Sequence, residues 1–231
     1  MRARVFVFVG LLLSAPLSHA AAPSPAAAVG LLVHAQHGIN EMSGKEVMDT
    51  WEAVRRDPGP YLPHLRTWIS VERIEAAKDP VQLHAPLNAL RLLLLLGGRE
   101  ERGFARDFLK QLQAKRDALT VQVQARIRAA GAASQALRDD ASFRALIVRR
   151  GPFTQFEREV LRHFAGLGDP SLRDILLPRL DQDSDMRDPY IEYFEATCRK
   201  DPLVRARLKK MLEAPPSPQT AGALRHFFEE P

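Results

Sequence analysis

Asp169-Pro-Ser-Leu-Arg173, Asp183-Ser-Asp-Met-Arg187 and Asp201-Pro-Leu-Val-Arg205 share one design, and Asp140-Ala-Ser-Phe-Arg144 repeats it upstream. Each places an Asp four residues before an Arg, with an apolar residue just before the Arg, and each opens an apolar pattern of helical period. An Asp at such a position accepts from the unbonded N–H groups of a first helical turn, and Pro tolerates the turn's first position. Recurring helix starts of one design predict an all-α chain built of stacked helix pairs. The 19- and 13-residue intervals between the starts at Asp169, Asp188 and Asp201 leave room for one short helix and a turn each, so the antiparallel helical hairpin is the expected unit.

Working outward, the same periodicity continues in both directions, and no alternating apolar–polar run is long enough to argue for a sheet. Ser43-Gly-Lys-Glu46 and Thr154-Gln-Phe-Glu157 read as capping boxes that introduce helices. Asp57-Pro58 and Asp79-Pro80 read as further helix starts. A long helix is expected after Gly97-Gly98, with Phe104, Ala105, Phe108, Leu109 and Leu112 inward and Arg99, Arg102, Arg106 and Lys110 outward. Glu100, Glu101 and Asp107 interleave with that basic stripe, which therefore reads as a solvated face.

Leu176-Leu177-Pro178-Arg179-Leu180, followed by Asp183 to Arg187 and a second apolar helix, resembles a HEAT repeat. The resemblance covers roughly residues 140–213. It implies a short α-solenoid, with Pro178 inside the first helix and an Asp/Arg ladder drawn from Asp183 or Asp185 and Arg187. Asp169 with Arg173 and Asp201 with Arg205 resemble the same pair.

The N-terminus reads as a secretory signal over residues 1–20. Arg2 and Arg4 precede the apolar run Val5 to Leu13, and Ser18-His19-Ala20 offers small residues for cleavage. Residues 21–28 read as an Ala/Pro-rich flexible lead-in, 29–213 as the helical repeat domain, and 214–231 as a Pro-rich linker with a C-terminal capping helix. Removing the signal takes two of the 33 basic residues and no acid, so the net charge falls from +5 to +3. That balance, with acids mixed among the bases, argues against nucleic acid as partner. Leu90 to Leu96 is far too short to span a bilayer, so no membrane span is expected in the mature chain. The single cysteine, Cys198, forbids an intrachain disulfide, and its spacing from Tyr190, Ile191 and Phe194 places it on an apolar stripe as an inert buried thiol.

Familiar catalytic signatures do not occur: no G-x-S-x-G, H-E-x-x-H, G-x-G-x-x-G or phosphate-cradling loop. His34, His37 and Glu41 have zinc-like spacing, but Gly38 interrupts the helix between them. Asp181, Asp183, Asp185 and Glu192 occupy positions 1, 3, 5 and 12 of an EF-hand-like loop. Met186 stands where the turn wants Gly, Asp188 stands where a sister loop would pair, and tight calcium binding is not expected. The residues therefore lead to an exported, non-enzymatic scaffold binding a protein partner, with no cofactor and no catalytic or metal residue assigned. The alternatives are a metal- or ligand-dependent accessory domain centred on Asp181 to Glu192, and an enzyme with a site between helices.

Overall fold

The computed structural model describes residues 23–35, 44–131, 137 and 139–229, and every element among them is helical. The helices are α1 (Pro25–Val33), α2 (Lys45–Arg56), α3 (Leu62–Arg66), α4 (Val71–Ala76), α5 (His84–Leu96) and α6 (Arg99–Ala130). They continue with α7 (Ala141–Val148), α8 (Gly151–Gly166), α9 (Arg173–Leu176), α10 (Arg187–Cys198), α11 (Pro202–Glu213) and α12 (Pro218–Phe228). Short 3-10 turns at Pro80–Leu83, Pro170–Leu172 and Leu177–Arg179 fill the joints. The signal-peptide segment and the residues His37, Glu41 and Ser43 lie outside the described residues.

The Asp starts behave unequally. Asp140 accepts from the N–H groups of Ser142 and Phe143 and opens α7; Asp201 accepts from Leu203 and Val204 and opens α11. Asp79 and Asp169 cap 3-10 turns instead. Asp57 closes α2 rather than opening a helix, and Asp183 and Asp188 cap nothing. Asp188 lies in the first turn of α10, where it accepts from the Thr220 hydroxyl at 2.9 Å.

The second expected capping box is also corrected. Helix α8 already begins at Gly151; Thr154 bonds back to the Arg150 carbonyl at 3.3 Å, and Glu157 is buried in the interior. The lead-in reading fails from Pro25 onward. Ser24 caps α1, and Ala28, Val29, Leu32 and Val33 are buried in the core. Asn88 of α5, also buried, donates to the Val33 carbonyl at 3.1 Å and closes the end of that helix.

Long α6 spans 32 residues, about 48 Å, and is the spine. Its start is fixed by Glu101, which accepts from the Gly98 N–H at 2.8 Å and from Arg66 of α3 at 2.6 Å. Gly97 must be Gly here, because a β-carbon would overlap the Glu101 side chain and the Leu93 carbonyl. Helix α6 packs on α8, α8 on α10 and α10 on α12; α7 leans on α6 and α8, α9 on α10, and α11 on α12. Helix α5 is buried almost all round and joins α1 and α3 to α6 and α8. After the Pro-rich stretch, α12 buries Leu224 and Phe227.

The expected Asp/Arg ladder reduces to one rung. Arg173 donates to Asp201 at 2.7 Å, and that bond holds the Asp201 carboxyl below its ordinary range. Arg187 instead donates to the carbonyls of Leu180 and Asp181 at 2.8 and 3.4 Å, and Arg205 lies 5.3 Å over the Phe228 ring. Arg187→Ala strips one turn of its carbonyl partner, and a loss of about 1–2 kcal/mol is expected in urea unfolding. An unchanged midpoint would show that water replaces the guanidinium at no cost.

Candidate functional site

Helix α8 has two working faces. Phe153, Phe156, Val160 and Phe164 point inward, while Thr154, Arg158 and Arg162, spaced at four residues, form an outward row. Two hollows flank that row. One, of about 590 Å³, lies between α8 and α10 and reaches Gln219 of α12; the other, of about 460 Å³, reaches Arg91 of α5 and Ile147 of α7. They share Arg158, Arg162 and Asp185 and so form one groove. Arg91 and Arg162 both hold Glu159, at 3.0 and 3.2 Å, and Arg150 holds Asp185 at 2.6 Å. No His or Cys lines either hollow. The lining offers charge and hydrogen bonds, and within it the Ser184 hydroxyl donates to the Asp185 carboxylate at 3.3 Å.

The acidic run does not gather around a point. Asp181 pairs with Arg207 of α11, Asp183 with Arg116 of α6, and Asp185 with Arg150, while Glu192 faces outward on α10. Among the described residues no group of three or more His, Cys, Asp or Glu is placed to hold a metal ion. Three different arginines have taken the charge that a cation would neutralise. Calcium added to metal-stripped protein should therefore leave the melting temperature unchanged. A saturable rise at micromolar calcium would show that the arginines let go.

Of the zinc trio only His34 is described, and its ring meets Trp68 edge-on at 5.2 Å. Cys198 is buried beside the Thr197 hydroxyl at 3.3 Å, and burial pushes its thiol up, away from the reactive thiolate. Within the basic stripe of α6, Arg102 approaches Asp169 at 3.5 Å, whereas Arg106 is exposed.

Beneath the groove lies a charged cluster that the sequence reading missed. Arg116 is 1 % exposed and Glu157 fully buried, 3.1 Å apart but out of line for a hydrogen bond. Arg116 also bonds Asp183, and it donates to the Tyr190 hydroxyl at 3.3 Å. The Glu157 carboxylate accepts from Tyr190 at 2.7 Å and from Gln113 at 2.8 Å. Arg116 thus faces both carboxylates, and Arg179, tied to Asp117, stands 3.6 Å from Asp183 as well. Burial pushes the Glu157 carboxyl up by more than Arg116 draws it down. Burial also opposes the Arg116 charge, but Glu157, Tyr190 and Asp183 together hold it above its ordinary value. Asp183 lies between Arg116 and Arg179, whereas Glu157 has Arg116 alone and is the acid whose charge burial opposes. Closed to solvent, this cluster acts on the fold rather than on a substrate.

Tyr193 makes a second buried link: its hydroxyl accepts from the Leu172 N–H at 3.0 Å and donates to the Asp169 carbonyl at 2.8 Å. Burial pushes that phenol up to about 12. The aromatic character of α10 is thereby explained, since both tyrosines fasten it to its neighbours. Comparison of the chain with protein-family models, curated proteins and solved structures gives no match.

Proposed function

We propose that this chain is an exported helical binding protein, a HEAT-like array of hairpins that holds a partner protein in the groove beside α8. The observation that carries the reading is the continuity of that groove across α5, α7, α8, α10 and α12, with a lining of opposed charges. The row α6, α8, α10, α12, with α7, α9 and α11 leaning on it, supports the hairpin array. The basic head and small-residue exit of residues 1–20 support export. A photo-crosslinking residue at Gln155, inside the groove, tests the binding reading in the native host's secreted and envelope fractions. A discrete adduct from Gln155, with none from the same probe at Gln111 on α6, is expected. Equal labelling from both positions, or none from either, sinks the reading.

A further inference from the structure

The groove is charged unevenly along its length. Toward α5, four arginines (Arg91, Arg150, Arg158, Arg162) face Glu159 and Asp185; toward α12, the shared Arg158 and Arg162 face three acids, Asp185, Asp188 and Glu192. Glu159 is shared by Arg91 and Arg162, and Asp185 is held by Arg150. Arg158, in the middle and common to both hollows, has no carboxylate at ion-pair distance among the described residues. It reaches only the Asp185 carbonyl, at 3.4 Å. An exposed guanidinium with its fork unfilled, beside the exposed Arg162, suits a carboxylate from outside, taken through two parallel N–H bonds.

We propose that Arg158 and Arg162 capture a carboxylate side chain of an extended partner segment whose charges come in blocks. Its acidic block lies toward Arg91, and its basic block meets Asp188 and Glu192. This inference rests on the binding function above and names the chemistry of the bound segment. A peptide fits better than a polyphosphate or nucleic acid. A polyanion carries charge at every step and would run onto Asp185, Asp188 and Glu192, whereas a segment of mixed charge finds an opposite partner at each end. Ile147, exposed at the arginine end, gives an apolar ledge for one side chain of the same segment.

The test uses fluorescence anisotropy with a labelled peptide of about ten residues, glutamates in one half and lysines in the other; about ten extended residues span roughly 33 Å. Its control has the same composition with the charges alternated. The blocked peptide is expected to bind at least about fivefold tighter than the control, and Arg158→Glu to weaken it about tenfold. Arg106→Glu, on the exposed stripe of α6, should leave binding within about twofold. Equal binding of the two peptides, an equal loss from Arg106→Glu, tighter binding of inorganic polyphosphate, or no saturation by about 1 mM peptide would each overturn the proposal. The Gln155 crosslink, repeated in the Arg158→Glu protein, separates the two levels. An undiminished adduct leaves the binding function standing while this charge assignment falls; its loss supports both.

Discussion

Arg116→Met lowers stability by about 3–5 kcal/mol in urea unfolding, because it leaves Glu157 buried without a cation and Asp183 with only the more distant Arg179. Domains of this size carry about 5–15 kcal/mol in total, so the variant should stand near the edge of folding. Removing the three charges together, as Arg116→Met with Glu157→Leu and Asp183→Asn, should recover most of the loss, since Arg179 keeps Asp117 and no ion is then stranded. A single substitution costing under about 1 kcal/mol would show that water reaches the cluster. The pH dependence has a definite sign. Burial raises the Glu157 carboxyl in the folded state, so its contribution is fully present below the ordinary carboxylate range and declines as pH rises through the folded value. Glu157→Gln does not titrate there. Wild type should therefore lose ground to Glu157→Gln as pH rises above the ordinary carboxylate range, and a difference that is flat or grows the other way rejects the raised Glu157 carboxyl. Acids held low by their partners, such as Asp201, weaken both proteins alike as pH falls and cancel in the comparison.

Phe227→Ala should cost about 3–5 kcal/mol, and the loss should be felt first in α12. Phe227 is fully buried and meets Phe228 edge-on at 5.0 Å, and α12 packs on both α10 and α11. The end of the helix is also fastened by Arg199 of the α10 C-terminus, which donates to the carbonyls of His226 and Glu229. A cation there suits the negative end of the helix. With the ring removed, those polar contacts hold a helix that no longer fills its seat. Hydrogen exchange should then show the α12 amides opening at lower free energy than those of α8. If all helices lose protection together, α12 belongs to the global folding unit and not to a terminal cap.

What was readable and what was not divide along a physical line. Apolar periodicity depends only on residue order, so the inward face of α6 from Ala105 to Leu112 and the helical nature of the chain followed from it. Local start signals were less secure because a capping motif is cheap to write by chance. Thr154 and Glu157 have the right spacing, yet α8 had already begun and Glu157 was wanted elsewhere. A signal for that role existed: Glu157 sits among Phe153, Phe156, Val160 and Phe164, and Arg116 among Leu112, Leu119 and Val123, each a charge on an apolar face. Charges in that phase ask for each other. The acids from Asp181 to Asp185 have the spacing of ligands for one ion, and in the sequence the case against calcium rests on Met186 and Asp188, whereas the partners that hold these acids are not visible in the spacing. Arg116, Arg150 and Arg207 come from segments remote in sequence. The groove row Thr154, Arg158, Arg162 was periodic enough to find, but only packing places Arg91 and Glu192 at its two ends.

The fixed geometry of the Arg116 cluster has a consequence for alignment. Leucine and phenylalanine faces attract without direction, so α8 slid by one turn along α6, about 5.4 Å, would still bury much of its apolar surface. The same slip would carry Glu157 away from Arg116 and Gln113, stranding ions in the interior. We expect the cluster to work as a vernier, selecting one setting among several that greasy contacts alone would tolerate. The triple variant should then keep its helix content and much of its stability while its amide resonances broaden or double. A single sharp set of resonances would show that side-chain shape alone sets the alignment. If the vernier holds, the groove inherits its accuracy from below: Arg158 is displayed by the residue next to Glu157, so the buried pair sets where the outward guanidinium stands.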